Sequence, residues 1–368
     1  MKIEQIYTNC LAEAAYYIES EGEAVVIDPL REPTPYLERA KRDKAKIKYV
    51  LETHFHADFV SGHLDLAKLT GATIVYGPTA TPHFKAHIAH DGELLKVGKL
   101  TIKVLHTPGH TLESSTFLLI DEKGNDYAIF TGDTLFIGDV GRPDLAVKSN
   151  ITEKDLAGML YESLHQKIMP LKDEVIVYPG HGAGSACGKN MSSETFDTLG
   201  RQKMFNYALK AQTKEAFVDE VLTGLNTPPQ YFPKNAVLNK SGYTDFETLM
   251  KKAQNPLTAD DFEDTITAEN AIVIDVRDAQ TFAKGFISNS LQVGLDGQFA
   301  PWIGTLVQDL QQPILLVIPE GKEEETMIRL MRVGYENIKG YLKGGIEAWQ
   351  KAQKPIDTIH SIKPIKLV

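Results

Sequence analysis

The chain has 368 residues, 42% hydrophobic and 24% charged, with a formal net charge of −10. That length is too great for one ordinary domain and comfortable for two, and the balance is that of a globular protein in water. The acidic charge argues against a general nucleic-acid binder, which needs a basic face. No stretch approaches the roughly 18 apolar residues of a membrane span. The opening Met1-Lys2-Ile3-Glu4-Gln5-Ile6 lacks the apolar core of a signal peptide, so a cytoplasmic location is expected. Two cysteines, Cys10 and Cys187, make no disulfide framework and suit a reducing compartment.

Short strands are expected at Lys2–Tyr7, Ala14–Ile18 and Ala24–Ile27, the last ending in Asp28-Pro29, followed by an amphipathic helix from Pro35 to Lys44. The strand Tyr49-Val50-Leu51 runs into Thr53-His54-Phe55-His56-Ala57-Asp58-Phe59-Val60-Ser61-Gly62-His63. Imidazoles and a carboxylate are natural ligands of zinc or ferrous iron, and His-x-His-x-Asp is too tight for one helical face. It suits a loop leaving a strand, with a helix from Gly62-His63-Leu64 to Leu69. After a strand at Thr73–Tyr76, His83, His87 and His90 are spaced like one face of a helix and read as a solvated stripe.

Leu100–Leu105 alternates as a strand and leads to His106-Thr107-Pro108-Gly109-His110-Thr111. Phe117–Ile120 and Tyr127–Phe130 form a hairpin whose second strand ends in Thr131-Gly132-Asp133-Thr134. Val175–Tyr178 ends in Pro179-Gly180-His181. Four strands thus deliver His54/His56/Asp58, His110, Asp133 and His181 to loops, and strand-end loops on one edge build sites in layered α/β folds.

Those ordered motifs resemble the metallo-β-lactamase superfamily over roughly residues 1–250, which implies an α/β fold of the αββα sandwich type with a metal at one edge. His-Ala-Asp-Phe-Val-Ser-Gly-His at 56–63, Gly141-Arg142-Pro143-Asp144 and the loop Gly182–Lys189 resemble the persulfide dioxygenases fused to rhodanese domains, and glyoxalase II-type hydrolases less well. Residues 193–255 read as a helical tail, with helices at Thr195–Leu209 and Lys214–Leu222. A boundary is expected at Asn255-Pro256-Leu257-Thr258, separating residues 1–255 from 256–368. The second region has strands at Ala271–Val276 and Ile314–Ile318 and helices near Asp278–Lys284, Glu323–Val333 and Trp349. Ile274-Asp275-Val276-Arg277 and Gly344-Gly345-Ile346-Glu347-Ala348-Trp349 resemble a smaller rhodanese-like α/β domain.

The resemblance implies His54, His110 and Asp133 as ligands of one ferrous ion per chain, with zinc the alternative. His56, Asp58 and His181 then orient those ligands, or His56 ligates directly in a zinc enzyme. Dinuclear hydrolases of the superfamily usually carry a second-site histidine after the Asp of the motif. Here that residue is Phe59, which cannot ligate. Arg142 is expected either to hold an anionic group of a thiol carrier or to make an ordinary ion pair. Cys187 is expected either to handle sulfur or to pack as a small buried residue.

The implied activity is oxidation of glutathione or coenzyme A persulfide by O2 to sulfite and thiol, in sulfide detoxification. The expected partners are that persulfide and O2, with no nucleic acid or membrane, in a homodimer or homotetramer. A zinc thioester hydrolase and a non-catalytic sulfur-binding protein are the competing readings. In the second domain, the loop Pro319-Glu320-Gly321-Lys322-Glu323-Glu324-Glu325 stands where a rhodanese carries its nucleophilic cysteine. It has none, and its four carboxylates repel anionic donors.

Overall fold

The computed structural model describes residues 1–146, 150–211 and 213–360. The chain divides into two compact units, Met1–Tyr243 and Thr244–Val368.

The first unit is built on two six-stranded sheets. One holds β1 (Lys2–Thr8), β2 (Glu13–Ser20), β3 (Glu23–Ile27), β4 (Lys46–Glu52), β5 (Thr73–Tyr76) and β6 (His87–Ile88), in that spatial order. The other holds β7 (Leu94–Val97), β8 (Leu100–His106), β9 (Ser115–Ile120), β10 (Asp126–Gly132), β11 (Ile176–Pro179) and β12 (Asp197–Thr198), again neighbours in sequence order.

Side chains alternate across a strand, so a strand covered on both faces reads as a continuous apolar run. Ala24-Val25-Val26-Ile27 does this. Val25 and Ile27 enter the cluster between the sheets, with Leu51, Val104, Phe117 and Phe130. Ala24 and Val26 face outward, against Tyr36 and Ala40 of α1 (Thr34–Arg42) and Leu66 of α2 (His63–Thr70). Leu118, Ile129 and Val177 of the second sheet likewise pack outward, on Leu160 of α3 (Glu153–Ser163) and Phe217 of a later helix, Lys214–Leu222. The layers therefore run helix, sheet, sheet, helix. Each large apolar side chain buried this way contributes roughly 1.5–3 kcal/mol, which lets the sandwich carry a polar site at its edge.

Two expectations need correction. His83, His87 and His90 share no helix: residues 77–86 are irregular, His87 lies in β6, and its Nε2 sits 2.5 Å from Glu93. His87 pairs with Val75 across the sheet edge, so the histidine spacing is not a helical period. The domain boundary also falls earlier than Asn255. The helix Phe246–Ala253 packs on Ile338–Leu342 and belongs to the second unit. Pro256-Leu257, expected at the boundary, is an edge strand paired with Ile338–Leu342, where a proline's missing N–H costs little.

The second unit has five parallel strands in the order Pro256–Leu257, Ile338–Leu342, Ile314–Val317, Ile272–Asp275, Leu291–Gln292. Arg277 is fixed by a fork to Asp275 and by the Gly285 carbonyl. The loop after Ile314–Val317 opens on a cavity of about 710 Å³ bordered by Asp278, Glu320, Glu323, Glu347 and Lys343. Both cysteines of the chain lie in the first unit, so this unit has no cysteine nucleophile.

Candidate metal centre

β4, β8, β10 and β11 each end at the same edge of the sandwich, and the next few residues supply polar side chains. His54, His110 and Asp133 are buried, and one donor atom from each lies within 4.8 Å of the others. The remaining polar atom of each is already engaged. Thr53 donates its hydroxyl to Asp28 Oδ2 (2.9 Å), so the 3.0 Å contact between Thr53 Oγ1 and His54 Nδ1 must be donated by the imidazole. His110 Nδ1 donates to the Arg142 carbonyl at 2.9 Å. Both rings are thereby set with Nε2 presenting a lone pair, the usual arrangement behind a metal-ligating histidine. Asp133 Oδ1 is held by His181 Nδ1 at 2.8 Å, while Oδ2 is buried without a hydrogen-bond partner, 3.4 Å from His110 Nε2. Two aimed imidazoles and one orphaned carboxylate oxygen fit a divalent cation.

Backbone makes room for this. Gly132 takes φ +49°, and a Cβ there would stand 2.4 Å from Thr53 Oγ1; one on Gly180 would stand 2.9 Å from Asp133 Oδ1.

Electrostatics follow from burial. Burial, then the neighbouring His56, keeps His54 well below the usual imidazole range, so it stays neutral. Burial alone would raise the Asp133 carboxyl, but His181, His110 and His54 pull it far below the usual range. His181 is the opposite case. Burial disfavours its charge, yet Asp133 and Asp58, the latter 2.8 Å from Nε2, hold it as imidazolium. Asp58–His181–Asp133 is therefore a continuous clamp on one ligand.

Cys187 is buried beside this clamp, forming a second group with Asp58 and His181. Burial, then Asp58 and Asp133, pushes its thiol well above the usual range, so it stands there protonated.

Two expected residues are placed elsewhere. The Arg142 guanidinium is buried, with a fork to Asp144 (2.7 Å twice) and bonds to the carbonyls of Ala186 and Asn226. Of the two roles expected for it, the structure has the ion pair. Four of its five N–H donors are spent within the protein, and its contribution to the site is the carbonyl that orients His110. His56 hydrogen-bonds none of the three converging residues; its Nε2 lies 3.1 Å from Asp28 Oδ1.

The residues that support the histidine loop carry no motif in the sequence. Asn239, on the helix Phe232–Ser241, donates to the carbonyls of His56 and Phe59 and accepts from Ser61 N. Tyr243 donates to the Ser61 carbonyl. Asp28, at the end of β3 with φ +49°, was legible only as a polar residue closing an apolar strand.

A cavity of about 310 Å³ adjoins His110, walled by Phe55, Ala57, Leu112, Val237 and Lys240. Among the described residues no hydrogen-bond or ion-pair partner of the Lys240 ammonium is found, and no helix is long and apolar enough to cross a membrane.

Residues 8–181 match the family model of the metallo-beta-lactamase superfamily, and residues 258–352 that of the rhodanese-like domain. The crystal structure of a metallo-beta-lactamase from Staphylococcus aureus subsp. aureus COL superposes with a TM-score of 0.82 at 30% identity, covering 93% of this chain and 98% of that one. This chain belongs to the metallo-β-lactamase superfamily and carries a rhodanese-like domain. Within the superfamily it resembles proteins of two activities. The human mitochondrial persulfide dioxygenase ETHE1 is 32% identical over 215 residues, 56% of this chain and 73% of that protein. The cytoplasmic hydroxyacylglutathione hydrolase of Arabidopsis thaliana is 33% identical over 186 residues, 49% of this chain and 67% of that protein.

Proposed function

We propose that the protein is a mononuclear ferrous persulfide dioxygenase, converting a low-molecular-weight thiol persulfide, O2 and water to the thiol and sulfite. The observation that carries this reading is the donor set: two imidazoles and one carboxylate converge, while His56 is turned away and Phe59 replaces a further imidazole. Such a face suits ferrous iron with positions open for substrate and dioxygen, and iron supplies the redox change that zinc lacks. His54, His110 and Asp133 would hold it.

The rest of the work falls to the chain itself. Thr53 and the Arg142 carbonyl hold the two imidazoles in the ligating tautomer. The Asp58–His181 pair fixes Asp133 in one orientation. Phe55, Ala57 and Leu112 give the thiol body an apolar wall, and Lys240 offers its anionic end a cation in place of Arg142. In the rhodanese-like domain, the missing cysteine leaves no thiol nucleophile for sulfur transfer.

The hydrolase reading retains one supporting observation. Asp58, His181 and Cys187 form a second donor group beside the first, able in principle to hold a second ion. Thiol release from glutathione persulfide, followed with and without oxygen, separates the two. Release confined to aerobic samples of ferrous-loaded protein supports the dioxygenase. Equal anaerobic release, or faster cleavage of S-lactoylglutathione by the zinc-loaded form, rejects it.

A further inference from the structure

His56 is the side chain this mechanism leaves unused, and its surroundings explain why. It lies two residues from His54 on the same loop. It is buried, and its ring centroid is 4.2 Å from that of His54. Yet its nitrogens stand outside the group formed by His54, His110 and Asp133. Nε2 points between two carboxylates on neighbouring strands, 3.1 Å from Asp28 Oδ1 and 3.5 Å from Glu52 Oε2. Neither nitrogen makes a well-formed hydrogen bond, so hydrogen bonding alone does not account for this placement. The remaining restraint is a ring: Phe59, fully buried, lies against the imidazole with centroids 4.3 Å apart and planes 30° apart. Asn239 holds the carbonyls of both residues, fixing their spacing.

We propose that Phe59, with Asp28 and Glu52, parks His56 away from the metal and so keeps the donor set at three. Phe59 then has two consequences. It leaves the second donor group without an imidazole at position 59, and it bars a fourth ligand from the first ion. Releasing His56 converts an open three-donor face into a closed four-donor site of the kind tetrahedral zinc prefers. The inference rests on His54, His110 and Asp133 being the ligand set; it does not depend on which reaction the site performs.

The test uses full-length protein loaded with zinc or cobalt(II). Zinc affinity is measured by competition with a chromophoric chelator, and cobalt coordination by visible absorption, which is stronger for four-coordinate than for six-coordinate ions. The variants are Phe59→Ala and the better-packed Phe59→Leu, each with and without His56→Ala. Parking predicts that either Phe59 variant binds zinc at least tenfold more tightly with stronger cobalt absorption, and that both gains vanish with His56→Ala. It also predicts that His56→Ala alone leaves wild-type zinc affinity within about twofold.

A tenfold loss in His56→Ala alone would mean that His56 already ligates, and would overturn the proposal. So would a gain that persists without His56, or unchanged affinity and absorption in a folded Phe59→Leu protein. His54→Ala is the separate control. Undiminished metal binding in that variant would sink the ligand set itself, whereas a failure of the dioxygenase reading would leave every one of these coordination readouts in place.

Discussion

Asn239→Ala should loosen the histidine loop from a distance of some 180 residues in sequence. The Asn239 amide is buried and makes three bonds of 2.7–2.8 Å, to His56 O, Phe59 O and Ser61 N. Truncation removes all three partners at once. A buried backbone group left unpaired costs about 1–3 kcal/mol, and partial relaxation lowers the sum, so a loss of about 3–5 kcal/mol is expected. Urea unfolding of the metal-free protein, followed by far-UV circular dichroism, reads this loss. Both tryptophans, Trp302 and Trp349, lie in the second unit, so tryptophan fluorescence is an internal control that should not shift. Asn239→Asp, which keeps the acceptor for Ser61 N but loses both donors, should be no better than alanine. A loss under about 1 kcal/mol, or an equal shift in the fluorescence transition, would mean that Asn239 does not hold the loop.

Three further outcomes follow from the same geometry. Burial, then Arg31 and His56, pushes His63 down to about 3, so it stays neutral while the unfolded chain takes up a proton near pH 6.5. Stability therefore falls as pH drops between those values, by about 2 kcal/mol at pH 5, and His63→Phe should remove that share of the slope; parallel slopes would contradict it. Gly180→Ala places a methyl against Asp133 Oδ1 and should weaken zinc binding at least tenfold in a folded protein, as a zinc titration would show. Arg142→Lys cannot reproduce the fork to Asp144 and the two carbonyl bonds, so chemical denaturation should show a loss of about 3 kcal/mol with the persulfide KM little changed. A stable variant with a raised KM would restore the anion-binding role.

The strand-end loops were legible because the strands before them are apolar runs covered on both faces, and a run such as Ala24–Ile27 has few alternatives to a central strand. His54, His110 and Asp133 converge because β4, β8 and β10 end together, and ordered motifs carry that information. The direction of a side chain at the end of such a loop is a different matter. His56 turns on carboxylates of two strands and a ring three residues on, none of which spacing encodes. Arg142 was ambiguous because its partner carbonyls, Ala186 and Asn226, lie 44 and 84 residues away. His83, His87 and His90 misled because a three-to-four spacing was read as a helical period in a segment that is irregular up to residue 86 and then pairs as β6. The boundary moved because Pro256 sits where an edge strand tolerates proline.

Dioxygenase chemistry at this site is decided by the oxygen balance of the ferrous-loaded protein with glutathione persulfide. Oxygen uptake, sulfite and free thiol are measured together, beside the zinc-loaded protein and His110→Ala. The ferrous protein should consume one O2 for each sulfite and each thiol it forms, and neither comparison should take up oxygen. Thiol formation without oxygen uptake, or sulfite formation undiminished in His110→Ala, would contradict that chemistry.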